Sequence, residues 1–153
     1  MRTASSPVET LGATELLRED HRRLKELFGQ FEASDDHELK QEIAESAISE
    51  LEAHAVIEEE LFYPALRRVI EDKDLIVHAR ESHHVAKLLM AELKLMPAGS
   101  HFNAKFALLC DGVRKHIQEE ENELLPQAES SRLDLRRLGL EMSTCKLHAL
   151  RGT

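Results

Sequence analysis

Sliding the chain against itself by 62 residues places His21 on His83, His54 on His116, Glu58 on Glu120, Glu59 on Glu121 and Pro64 on Pro126. This internal repeat constrains the fold more than any other feature of the sequence. Its best-matched segments read HAVIEEELFYP and HIQEEENELLP, with proline ten residues after histidine in both. Each half reads as a helical hairpin, with one histidine on its first helix and His-x-x-x-Glu on its second. Residues four apart on a helix are ~6 Å apart along its axis and ~40° apart around it, so both side chains face one way. His54 and Glu58 therefore converge on one point, as do His116 and Glu120.

The apolar period supports the same hairpins. Leu17, His21, Leu24, Phe28 and Phe31 recur every three or four residues from Thr14 onward. A second pattern runs from Leu39 to Val69, and a third, opened by Asp72 and Asp74, carries Ala79, His83, Ala86, Met90 and Leu93. A fourth joins Phe102, Phe106, Leu109, Val113, His116, Glu120 and Leu124. The turn at 33–37 offers Ser34, Asp35 and Asp36 as helix caps, and the break at 96–100 offers Ser100. Short links make consecutive helices antiparallel neighbours, so the expected fold is all-α, an antiparallel up-down-up-down four-helix bundle with an extra C-terminal helix. The expected organisation is a flexible segment over 1–13, the bundle over 14–130 and a helical extension over 131–153, free to cap the bundle or to dock a second subunit or protein partner. Pro64 and Pro126 each remove a helical hydrogen bond, so a kink or a new turn is expected at both.

At 153 residues the chain suits one domain. Scarce Gly and Pro, with 32% charged residues, favour helix in a soluble protein. No apolar run is long enough for a membrane span, and the N-terminus lacks the apolar run of a signal peptide. Two cysteines without a CxxC pair suit a reducing compartment, so a cytoplasmic location is expected. A net charge of −9 argues against nucleic acid as a partner.

The paired histidines and glutamates continue the apolar stripes rather than the wet faces. An ionised Glu buried there without a counter-charge would cost several kcal/mol, which a bound cation removes. His21, His54, Glu58, His83, His116 and Glu120 make six candidate ligands, a set suited to two metals with places left for water or oxygen. His83 is preferred to its neighbour His84 because it aligns with His21, whereas His84 aligns with Arg22. Imidazole and carboxylate without thiolate disfavour copper(I) and structural zinc, and iron or manganese fits better. Taken singly, His21 and His83 could be hydrogen-bonded core histidines, and each His-Glu pair a buried hydrogen bond. Only His54 and His116 of the nine histidines have Glu at the fourth following position, and two such pairs in register make the metal reading the stronger one.

The stretches Asp20-His21, HAVIE (54–58), ESH (81–83) and HIQEE (116–120) resemble the hemerythrin-like proteins with an HHE cation-binding domain. The resemblance spans about residues 14–128. It implies a bundle with a non-haem diiron centre, two iron ions bridged by an oxo or hydroxo group and by the two glutamates, that binds, senses or reacts with dioxygen, peroxide or nitric oxide. Oxygen-carrying hemerythrins use a further histidine where this chain has Lys87, and a His-x-x-x-x-Asp spacing where it has His116 and Glu120. Their substitution leaves a coordination place open, or filled by a carboxylate such as Glu59 or Glu121. Ferritin-like di-iron bundles use Glu-x-x-His instead, three apart and in reverse order.

The expected function is a redox-active diiron protein that binds dioxygen or turns over peroxide, catalase-like if it is an enzyme. The alternative is a sensor or iron buffer acting through a partner, and a third reading is a metal-free or zinc-stabilised interaction module. No general acid or nucleophile beyond the ligands is evident. Glu59, Glu60, Glu119 and Glu121 read as solvated helix face and Cys110 as a small core residue, while Tyr63, just before Pro64, reads as a packed aromatic, with a hydrogen-bond donor to the ligands as its alternative. His37, His78, His84, His101 and His148 read as surface residues.

Overall fold

The computed structural model describes residues 11–151, and residues 1–10 of the segment expected to be flexible lie outside it. Helix α1 (Ala13–Ala33) begins with a fully buried alanine. Helix α2 (His37–Ile57) runs through a π turn (Glu58–Phe62) into α3 (Tyr63–Arg67). Helix α4 (Asp74–Lys94) precedes α5 (Ser100–Glu119), which runs through a second π turn (Glu120–Leu124) into α6 (Leu125–Glu129), and α7 (Leu135–Arg151) follows. Helices α1 and α2 pack as one hairpin and α4 and α5 as the other, giving the expected helical bundle.

Of the three candidate caps in the first turn, Asp36 is the one used. Its carboxylate accepts from the backbone N–H of Glu38 and Leu39. Ser100 does not cap α5 but opens it. Gly99 holds the cap position at φ 143°, a conformation that excludes a side chain and so favours glycine. The prolines act one turn earlier than a simple kink. Pro64 cannot donate a helical hydrogen bond, and the preceding turn widens so that the Tyr63 N–H reaches the Glu58 carbonyl, five residues back. Leu125 bonds the Glu120 carbonyl in the same way before Pro126.

Two apolar clusters enclose the middle of the bundle. One gathers Leu17, Ile57, Phe62, Leu66, Leu125 and Met142, and the other Leu24, Phe28, Phe106, Leu109 and Val113. Helix α7 lies against α1 and α2. Gly139 makes that approach possible, since a Cβ there would stand 2.2 Å from the Leu11 carbonyl oxygen. The C-terminal helix is thus packed on the first hairpin. Among the described residues, no helix is long and apolar enough to cross a membrane.

Candidate metal centre

All six residues singled out by the repeat converge between the two apolar clusters. His21 (α1), His54 (α2), Glu58 and Glu120 (the two π turns) form one group, each offering a ligand atom within 4.8 Å of the others. Glu58, His83 (α4) and His116 (α5) form a second. Each hairpin therefore supplies the two histidines of one group. The glutamates span both: Glu58 Oε2 lies 3.3 Å from His54 Nε2 and its Oε1 2.9 Å from His83 Nε2. Glu120 Oε1 lies 3.1 Å from His21 Nε2 and its Oε2 3.5 Å from His116 Nε2.

Four buried atoms of the first group lack any hydrogen bond: His21 Nε2, His54 Nε2, Glu58 Oε2 and Glu120 Oε1. A buried polar atom without a partner costs about 1–3 kcal/mol, more when charged. Four orphans facing one another fit a shared cation, and the donor set of imidazoles and carboxylates without sulfur suits iron.

Charge pairing opposes burial at His54, Glu58, His83 and His116. Burial pushes His54 down, but Glu58 and Asp20 outweigh it and hold its pKa well above the usual value. Burial pushes Glu58 up, but His54, Glu120 and His116 outweigh it and hold it well below. His116 is raised to about 10, with burial overcome by Glu120 and Glu58, and His83 is raised by Glu58 and Glu59 against the same opposition. These directions describe the protein without metal. A divalent cation bound here would take the place of the protons.

The far nitrogens of three histidines are also held. His54 Nδ1 lies 2.9 Å from Asp20, His21 Nδ1 2.7 Å from Glu121 and His83 Nδ1 2.7 Å from Glu59. Such carboxylates fix the imidazole's tautomer and raise its basicity as a ligand. Glu59 and Glu121 are thus not simply solvated surface, as their place in an acidic run suggests. Each reaches across to the opposite hairpin. His83 first, then Lys87, lowers the pKa of Glu59 to about 2. Lys87, which stands where oxygen carriers have a histidine, donates to Glu59 at 2.6 Å. Neither Glu59 nor Glu121 turns toward the centre to fill the expected open place.

For Tyr63 the structure favours the alternative, a hydrogen-bond donor to the ligands, over a merely packed aromatic. Its hydroxyl donates to Glu120 Oε2 at 2.7 Å, with Glu58 Oε1 at 3.1 Å, and lies 3.2 Å from His83 Nε2 and 3.5 Å from His116 Nε2. It sits among the atoms of the second group. The repeat hides it, because its counterpart is Leu125. Its place before Pro64 is what made it a candidate in the sequence.

His83 is buried while His84 is exposed, and His37, His78, His101 and His148 are also exposed. Cys110 is buried in the core, as expected, and burial pushes its thiol up to about 12.

Comparison with known proteins bears on this centre. The chain is 28% identical over 122 residues to a DNA nickase of a Nostoc species, covering 80% of this chain and 35% of that protein. It is 27% identical to an uncharacterised hemerythrin-like protein of Schizosaccharomyces pombe, over 70% of this chain and 54% of that one. The chain therefore spans about a third to a half of these relatives. The crystal structure of a hemerythrin HHE cation binding domain-containing protein from Mycobacterium kansasii superposes with a TM-score of 0.78 at 22% identity, over 93% of this chain and 89% of that one. At that identity it speaks for the fold. The family model for the hemerythrin HHE cation binding domain matches residues 12–128, and on that match, with the paired His and Glu groups at its centre, the chain belongs to the hemerythrin HHE family.

Proposed function

We propose that this domain holds two iron ions and binds or reacts with dioxygen or peroxide. The carrying observation is the set of four orphaned, mutually facing atoms on His21, His54, Glu58 and Glu120, beside a second group built on His83 and His116. In this reading His21 and His54 would hold one ion and His83 and His116 the other, and Glu58 and Glu120, with one oxygen directed to each group, would be shared by both. Bound iron supplies Lewis acidity and electrons. The chain's own part is to orient the imidazoles through Asp20, Glu59 and Glu121, and to hold a proton on Tyr63. Burial, Glu120 and Glu58 raise the Tyr63 pKa well above its usual value, so the hydroxyl remains a donor at neutral pH.

Metal analysis with an optical spectrum tests this reading. Protein exposed to ferrous iron and air should hold about two irons per chain and show near-ultraviolet absorption that changes with peroxide. His54→Ala and Glu58→Gln should lose both. A stable wild-type protein that takes up no iron would defeat the proposal. Gas evolution on adding peroxide, lost in His54→Ala, separates turnover from simple binding.

A sensor or iron buffer is the second reading, and one observation favours it. Lys146 of α7 bonds Asp20 at 2.5 Å, and Asp20 holds His54, so the centre is connected to the outermost helix. DNA cleavage belongs to the Nostoc relative, of which this chain matches only about a third. The net charge of −9 favours a small-molecule ligand here.

A further inference from the structure

The internal repeat would give both halves of the centre equivalent surroundings, and one face breaks that equivalence. On the α1–α2 face, Lys146 of α7 stands 2.5 Å from Asp20 and 3.7 Å from Glu50, and Arg23 is 3.5 Å from Glu50. Charged side chains and α7 together cover this side. Shifting by 62 residues turns Asp20, Arg23 and Glu50 into Ser82, Val85 and Gly112. Those three small or uncharged residues line a cavity of about 240 Å³ bounded by α4 and α5 and closed by Leu24 of α1 and Leu51 and Ala55 of α2, whose lining also includes His54, His83 and His116. Leu51, Met90, Leu109 and Val113 supply apolar wall.

We infer that this cavity binds a small neutral organic molecule of about one aromatic ring, with a single polar end turned to His116. The size follows from the volume. An apolar cavity of ~150 Å³ takes up benzene, and drug-sized ligands occupy ~300–1,000 Å³, so about 240 Å³ suits one substituted ring. The apolar walls offer ordered water few partners. Both ring nitrogens of His83 are engaged, by Glu59 and by Glu58 and Tyr63, whereas His116 has contacts only through Nε2 among the described residues, so its Nδ1 gives a polar end somewhere to bond. Neutrality follows from the charged groups among the lining residues. Lys87 is already paired with Glu59, His78 stands 3.4 Å from Glu119, and Lys115 is exposed to solvent, so none of these three puts a buried, unpaired charge on the cavity. As the ligand pocket of a metal centre the cavity rests on the function proposed above, but its shape does not depend on metal.

The test uses 4-methylphenol as probe, titrated by calorimetry and NMR into iron-loaded and metal-free protein, with iron content measured on the same samples. Saturable one-to-one binding is expected in both forms. p-Xylene, similar in size but without the hydroxyl, should bind at least ten-fold more weakly. Gly112→Leu should plug the cavity and lower affinity for the phenol at least ten-fold. A Cβ at Gly112 meets no heavy atom within 4 Å, and leucine is the better helix former, so this variant should fold. Gly29→Leu, at an equally open position on α1, should leave binding unchanged. Absence of saturable binding to the wild type, or equal binding to Gly112→Leu, overturns the inference, and equal affinity for p-xylene overturns its polar end. Iron uptake without phenol binding defeats the cavity alone, whereas phenol binding without iron uptake defeats the metal centre alone.

Discussion

Tyr63 lies over Glu58 although five residues separate them: its N–H bonds the Glu58 carbonyl, and its hydroxyl stands 3.1 Å from Glu58 Oε1. In a regular α-helix, residues five apart point ~140° away from each other. The π turn removes that offset and brings a phenol into the metal centre. Tyr63→Phe should keep the fold, because the ring stays buried in the same packing. It should lower the urea-unfolding stability of metal-free protein by about 1–2 kcal/mol, since Glu58 and Glu120 lose their donor. Unchanged stability and an unchanged optical spectrum of iron-loaded protein would show that the hydroxyl contributes nothing.

Asp20 links His54 to Lys146 of α7. Burial pushes Asp20 up, but His54 and Lys146 outweigh it and hold it ionised. Partners of metal-bound histidines are worth ~10–100-fold in metal affinity. Asp20→Asn should weaken ferrous iron binding by about that range in a chelator competition, and Lys146→Met should weaken it in the same direction by less. Equal affinities in all three proteins would remove Asp20 from the centre.

The pH dependence of the metal-free protein has a fixed sign. His116 has a folded pKa of about 10 against an ordinary 6.5, so its stabilisation is complete below about 6.5 and is lost as pH rises through about 10. Glu59, lowered from 4.5 to about 2, acts oppositely: its stabilisation is present above about 4.5 and is lost as pH falls through about 2. Thermal midpoints of metal-free protein should therefore fall between pH 7 and 10. Iron affinity should rise over neutral pH, because ligation displaces the imidazole protons. A midpoint that rises toward pH 10 would contradict the ion-paired arrangement.

Gly139 is where α7 crosses the start of α1. Gly139→Ala puts a methyl group 2.2 Å from the Leu11 carbonyl oxygen, a backbone atom, so the helix has to shift. A loss of at least about 1–3 kcal/mol is expected from such overpacking, although alanine is the better helix former. Chemical denaturation checks this, and a stabilised Gly139→Ala would show that α7 does not pack there.

The two cysteines should differ sharply toward a maleimide at pH 8. Cys110 is fully buried with its thiol pushed up to about 12, whereas Cys145 on α7 is half-buried. Mass spectrometry of native protein should find one label, on Cys145, and a second only after unfolding.

The local pattern was enough to place His21, His54, Glu58, His83, His116 and Glu120 on inward helix faces. Burial of a helix face is written into a period of 3.6 residues, and the 62-residue repeat marks which polar positions interrupt it. The same reading could not place Glu59, Glu121 or Tyr63. Their positions depend on two π turns that rephase the helix after Glu58 and Glu120, and a fixed period cannot anticipate that change. Proline at 64 and 126 pointed to a local break, but not to a turn widened one step before it. Nor could the sequence show that Glu59 and Glu121 each cross to the other hairpin, or that α7 packs on α1 and α2. The helices and their polar inward positions came from local pattern; the tertiary structure decided which groups face one another, because those contacts join residues up to 126 positions apart.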